Sequence, residues 1–363
     1  MADVNFDKAA QAWNIVWDAD WVTAVAFLGG ARKLAAGNNL GQIFVWDLPE
    51  DRKEAPTPVR RLDGHKNQVV ALAASPDGRW LYSASLDHSV RVWDLQAPAD
   101  GSAETALDPK AREAAVKKGQ KEKALIKVEV QKAAKVLDAH KEWVRTISLT
   151  PDGKKLLSGD DKGQAILWDV PEGKEIRRLP CQGWLQAVAL TADARLAVTC
   201  EAAVRRADFP NAIKIWDLSS GVMKLDLGKE LKAGNEGVIG MAAAAFSLDG
   251  KLLCLGTGGE RDGNQKTYLM DPDTGKKVRE LVSHQYGVTG AVFHPDGKHL
   301  LTCGRDTLVK VWHIADGKMV KDIGKVRGGQ FKDWIHAISV SADGQWLAAA
   351  DMAGAVEVWS LTG

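Results

Sequence analysis

The chain lacks any run of about 18 consecutive apolar residues, which excludes an ordinary membrane-spanning helix. Its first residues, Met1 to Ala10, contain no basic segment followed by an apolar core, so no secretory leader is expected and the protein is expected to be cytoplasmic. Cysteine is scarce: Cys181, Cys200, Cys254 and Cys303 lie far apart with no Cys-x-x-Cys pair, and three of them fall in apolar runs. Buried free thiols are the expectation, rather than disulfides or metal ligands. Neither sign of charge dominates, since 48 basic residues face 47 acidic ones, and no overall field favours nucleic acid or anionic lipid. His-x-His, His-Glu-x-x-His and Gly-x-Ser-x-Gly spacings are all missing, so no catalytic residue, metal or cofactor is expected. Tyrosine (3) and phenylalanine (7) are sparse beside 14 tryptophans, an excess that points to one structural slot filled repeatedly.

That slot exists. Alignment on x-Trp-Asp superposes Trp46-Asp47, Trp93-Asp94, Trp168-Asp169 and Trp216-Asp217, then Met270-Asp271, Trp312-His313 and Trp359-Ser360. The spacings run from 42 to 54 residues, except one of 75 that contains an insertion, and a closed ring of small sheets that grows by adding blades explains how 363 residues can avoid dividing into separate cores. Each unit reads as an apolar run, a turn, a second run, a polar tight turn and a strand ending in the slot. Pro76-Asp77-Gly78, Pro151-Asp152-Gly153 and Pro295-Asp296-Gly297 supply turns whose residues preset the backbone angles.

Gly64-His65 opening the second unit, Asp87 in its tight turn and Trp93-Asp94 closing its third strand resemble the WD40 repeat family. The resemblance covers essentially the whole chain. It implies an all-β fold, a seven-bladed β-propeller of four-stranded antiparallel blades forming one domain over residues 1–363. It also implies, within each blade, a buried hydrogen-bonded set of His, Ser or Thr, Asp and Trp. The second unit offers His65, Ser85, Asp87 and Trp93. The sixth has His284, Asp306 and Trp312 but Gly304 at the hydroxyl position, and the third places Lys162 where the Asp belongs. Most blades are therefore expected to rely on apolar packing. The segment Ala10 to Asp18 has no other strand to pair with and is expected to complete the last blade, closing the ring.

Three departures from the bare repeat bear on function. The position opening the first strand holds Trp21, Trp143, Trp184 and Trp334, against Gln68, Gly237 and Gly287 in the other units. The family fold places this position at the top-face mouth of the central channel, near Arg145 and His336; there the tryptophans either cover joints between blades or anchor a partner. The tight turns of the fourth and fifth units are expanded, with Arg205, Arg206 and Phe209 in one and Arg261 in the other. Finally, residues 97–130 form an insertion between the third and fourth strands of the second unit. Asp108-Pro109 reads as a helix start within it, and ALIKVEVQ alternates like an edge strand, so a partly helical flap or a docking element is expected. The sequence thus points to a non-catalytic scaffold, monomeric by itself, that binds a protein or peptide on its top face. The alternative is an enzyme or small-ligand-binding propeller using the channel.

Overall fold

The computed structural model describes residues 4–17, 21–106, 125–202, 212–228, 231, 240–258, 264–327 and 334–362. Short apolar runs broken by Asp-Gly turns fold into antiparallel sheets, and seven of these are arranged as blades. Blade strands are lettered a to d from the axis outward. In blade 3 they are Val144–Leu149, Lys155–Asp160, Gln164–Asp169 and Lys174–Pro180. Each a strand touches the a strands of both neighbours, which closes the ring. Small residues make that crowding possible: Ala24, Ala71, Thr146, Ala187, Ala243, Gly290 and Ala337 face the axis at one shared register. The fifth unit therefore begins three residues later than its sequence suggests, on Gly240 rather than Gly237, which lies outside the described residues.

Apolar burial is divided among the joints. Among the described residues, seven buried clusters occur, one between each pair of adjacent blades. The four cysteines are free, three fully buried and Cys181 partly so.

Closure takes the expected form. The strand Ala10–Val16 pairs antiparallel with Ala355–Ser360, from Ala10 opposite Ser360 to Val16 opposite Ala355, and is strand d of blade 7. Trp13 and Trp17 are buried in the joint between blades 7 and 1, and Trp13 stacks on Trp346 at 5.3 Å. Phe6, on the short 3-10 turn Phe6–Lys8, packs into the joint between blades 6 and 7.

The polar set within the blades is more complete than its sequence signature. In blade 2 the Trp93 indole N–H donates to Ser83 (2.9 Å), Ser83 Oγ lies 2.7 Å from His65 Nε2, and His65 Nδ1 lies 2.9 Å from Asp87. The hydroxyl is thus Ser83, not Ser85; the two share one face of their strand, and Ser85 donates to the Asn67 carbonyl instead. The same two-residue correction completes blade 6 with Thr302 and blade 3 with Ser158. Blade 3 draws its carboxylate from Asp160, the last residue of strand b, which accepts from His140 at 2.8 Å, so Lys162 never had to supply it. In Asp87, Asp160 and Asp306 burial pushes the carboxyl pKa up, but the hydrogen bond from histidine and further donors outweigh it and hold each below the ordinary range. Desolvation meanwhile lowers the pKa of His65. A neutral imidazole donating through Nδ1 and accepting from serine at Nε2 satisfies every partner. Blade 4 keeps Thr199 and Trp216 but puts Cys181 in the histidine place. Blade 1 has Ala36 in the hydroxyl place, and the buried Trp46 indole N–H has no acceptor.

The insertion differs from expectation. Its described part is a β-hairpin, Gly101–Ala106 with Leu125–Lys132, and the stretch where a helix was expected lies outside the described residues. The hairpin leaves blade 2 and docks on blade 1, where Leu125–Lys132 runs parallel to the d strand Thr57–Asp63 and makes that sheet six-stranded. Arg60 fastens it, binding Glu129 (2.7 Å), Gln131 (3.0 Å) and the carbonyl of Leu95 (2.9 Å). Blade 2 is left with the three-residue d strand Lys135–Leu137.

Candidate functional site at the channel mouth

Each a strand begins at the top face, and where the turn between strands b and c is described, that turn donates a backbone bond to the strand's opening residue. Asn39 N–H donates to Trp21 O (3.2 Å), Asp161 to Trp143 O (3.1 Å), Met352 to Trp334 O (3.1 Å) and Arg305 to Gly287 O (3.1 Å). The side chain that the opening residue carries stands at the rim. Trp21, Trp143 and Trp184 are 36%, 42% and 38% exposed. Trp334 is half-buried, and the Arg305 guanidinium lies 4.4 Å from its ring centroid. Blade order divides the four into two neighbouring pairs, Trp334 with Trp21 and Trp143 with Trp184.

Two residues after each opening position the a strand shifts register, a bulge repeated in every blade. The bulged residues are Thr23, Val70, Arg145, Gln186, Ala242, Thr289 and His336. All but Thr23 line a channel of about 250 Å³. The bulge re-aims these side chains, and several stitch adjacent blades. Thr289 donates to Ile335 O (2.5 Å), Thr23 donates to Val69 O, and His336 Nδ1 lies 3.1 Å from Thr23 O. Desolvation lowers the His336 pKa, outweighing the opposing hydrogen bond to Thr23 O, and the Arg305 charge acts with the desolvation to favour the neutral imidazole. Arg145 lies 5.4 Å from the Trp143 ring centroid and is bound by Asp161 through both carboxylate oxygens. On the next blade the buried Glu201 carboxylate accepts from the N–H groups of Gln182 and Gly183, fixing the turn that carries Trp184, and pairs with Lys214 at 2.7 Å.

Of the residues singled out in the sequence, Trp21, Trp143, Trp184, Trp334, Arg145 and His336 thus converge on the mouth. Arg205, Arg206, Phe209 and Arg261 lie outside the described residues. Sequence reasoning missed Asp161 and Arg305, which occupy equivalent turn positions in blades 3 and 6 and partner residues at the rim. Their signal is position: each is the first residue after strand b, beside the opening residue of its own blade. Among the described residues, no three His, Cys, Asp or Glu side chains gather closely enough to hold a metal, and no helix is long and apolar enough to cross a membrane.

Comparison with known proteins agrees with the blade architecture. The family model "WD domain, G-beta repeat" matches residues 56–94, 131–169, 275–313 and 323–360. The first three matches end just after Trp93, Trp168 and Trp312, the tryptophans of the complete polar sets, while strands a to c of blades 1, 4 and 5 go unmatched. The chain is 25% identical over 311 residues to "Small ribosomal subunit protein RACK1y" of Oryza sativa subsp. japonica, covering 85% of this chain and 82% of that one. It is 23% identical to "Target of rapamycin complex subunit wat1" of Schizosaccharomyces pombe over 78% of this chain and 60% of that one. It is also 23% identical to "Autophagy-related protein 16" of Arabidopsis thaliana, over 84% of this chain and 50% of that one. Repeat matches that fall on blades of one strand order, in a ring of seven such blades, place the chain in the WD40-repeat family.

Proposed function

We propose that the protein is a non-catalytic scaffold acting in the cytoplasm, and that it binds a protein or peptide through the top-face mouth of its propeller. One observation carries this reading: Trp21, Trp143 and Trp184 each leave more than a third of their surface to solvent around one opening. Large amphipathic side chains on a rigid rim are what binding hot spots are made of, because they bury much area with few rotamers to lose. The names of two relatives, a ribosomal subunit protein and a subunit of a complex, describe components of assemblies, which supports the same reading. The channel below, of about 250 Å³, is lined by alanines and branched aliphatic residues together with the polar groups of Arg145, Gln186, Thr289 and His336.

The test is affinity purification of the intact chain against the double variant Trp143→Ala/Trp184→Ala, with mass spectrometry of co-purifying proteins. The variant is expected to fold normally and to lose its principal partners by about 10-fold or more, the cost of removing one or two anchors. Equal recovery by both proteins would refute the top-face reading.

A further inference from the structure

Blade 6 departs from blades 1 and 3 at the bottom edge, where strand b begins and strand c ends. In blade 1 this cross-strand pair is Lys33 opposite Asp47, with the charges 3.6 Å apart; in blade 3 it is Lys155 opposite Asp169, at 2.8 Å. In blade 6 both positions are histidine, His299 opposite His313, the latter standing where other units close with Asp. An ion pair has been replaced at both ends by imidazole.

Each ring is oriented by a carboxylate. His299 Nδ1 lies 2.7 Å from Asp296, and His313 Nδ1 lies 2.8 Å from Asp316. The turn that supplies Asp296 is altered to allow this. In blades 2, 3 and 4 the equivalent Asp77, Asp152 and Asp193 accept from Ser75, Thr150 and Thr191; in blade 6 that hydroxyl is replaced by His294, and Asp296 is turned to His299. With Nδ1 donating to a carboxylate, the neutral ring has its lone pair on Nε2. No protein atom among the described residues bonds either Nε2, and neither is a sealed, unsatisfied nitrogen. The ring centroids are 5.7 Å apart. Two imidazoles sharing one ion at metal–nitrogen distances of about 2.0–2.1 Å can have centroids no more than about 6.4 Å apart, so this pair lies within reach of a common ion. His294 is not a third ligand: its Nδ1 accepts from Asp296 N–H (3.2 Å), and its Nε2 is 2.8 Å from Gly344 O.

We propose that His299 and His313 form a carboxylate-backed two-histidine site for a divalent transition metal, with Zn²⁺, Ni²⁺ and Cu²⁺ as the class of ligand and water completing the coordination. The donor set is the pattern in which a carboxylate fixes the tautomer and raises the basicity of a metal-binding imidazole. The site is on the face opposite the tryptophan rim and is independent of partner binding there. It touches Phe6, whose ring is 4.8 Å from that of His299, so an ion bound here adjoins the segment leading into the closing strand.

The test uses tag-free, chelator-treated full-length protein titrated calorimetrically with zinc chloride and, separately, nickel chloride. One ion per chain is expected, with broadening of the His299 and His313 ring resonances by Ni²⁺ and a rise in melting temperature at saturation. His313→Ala should abolish all three effects, and Asp316→Asn should weaken affinity by about 10-fold or more. His88→Ala, on another blade, should leave binding unchanged. Absence of binding by the wild-type chain, or binding that survives His313→Ala, overturns the proposal. The resonance mapping on wild-type protein decides the matter even if a variant fails to fold.

Discussion

Blades 2, 3 and 6 carry a complete hydrogen-bonded set, whereas blades 1 and 7 have Ala36 and Ala349 in the hydroxyl place and blade 5 has Leu255. All belong to one ring with one strand order, so the polar set is not what makes a blade. Its work is more specific. A buried tryptophan that closes a blade needs an acceptor for its indole N–H, and a serine or threonine supplies one only if its own proton has somewhere to go. Histidine and aspartate continue that chain to the turns at the blade's top. Blades without the set are held by other means: blade 7 by the N-terminal strand and the stacked Trp13 and Trp346, and blade 1 by a borrowed hairpin on its outer edge. The difference teaches that a repeat fold can exchange an internal polar brace for an external strand.

The comparison breaks most severely if the external strand is removed. Deleting residues 1–18 takes Phe6, Trp13, Ile15 and Trp17 out of two joints, all of them at least 94% buried. Side chains of this size contribute about 1.5–3 kcal/mol each, so a loss of more than about 5 kcal/mol is expected, read as a large fall in calorimetric melting temperature. An unchanged melting temperature would show that blade 7 needs no closing strand.

A reciprocal pair of substitutions sharpens it. Ser158→Ala in blade 3 leaves His140 Nε2 and the Trp168 indole N–H without partners in the core, and should cost about 2–3 kcal/mol in denaturant unfolding. Ala36→Ser in blade 1 offers an acceptor to Trp46, whose N–H has none, with its own proton turned to the Phe44 carbonyl across the ladder as Ser158 turns to Ile166, and should gain about 1 kcal/mol. If the two changes have the same sign, the hydroxyl is not the keystone of the set.

The smallest expected effect is that of pH. His65 and His336 have pKa values lowered from 6.5 by desolvation, so on acidification the unfolded chain takes up protons that the folded chain refuses. Melting temperature should decline shallowly from about pH 7.5 to about pH 5.5. A second decline follows in stronger acid, as Asp87, Asp160 and Asp306, whose pKa values are depressed below 3.8, are forced to protonate. His336→Gln should flatten part of the first decline; a profile that rises on acidification would contradict the neutral-histidine assignment.

Much of this architecture was legible in the residues. The Pro-Asp-Gly turns adopt the backbone their sequence demands, with Gly78 at φ 68° where a side chain would be strained, and the closing strand follows from an alternating segment with no other partner. Legibility failed where a local pattern admits two registers. Ser83 and Ser85 point to the same face, so only the position of Trp93 across the sheet distinguishes them. The fifth unit, with Met270 in the tryptophan slot and a long connection before its a strand, gave no anchor to fix its start. The docking of Leu125–Lys132 on blade 1 left no local trace at all, because parallel pairing with a strand from another blade is decided by tertiary contacts such as Arg60 with Glu129. At the mouth the tryptophans were readable as repeated exceptions. The bulges that aim Arg145, Gln186 and His336 were not, since one extra residue in a strand looks like any other residue.

The closing strand has one more consequence, a mechanical one. Ala10 lies opposite Ser360, so the outward ends of the two paired segments emerge at the same end of the ladder. Tension applied through the flanking chain would fall on the first pair of hydrogen bonds alone and peel the others one after another, rather than load them together in shear. A ring held together by burial in its seven joints would therefore yield to a directed pull at that single seam, opening blade 7 before any other.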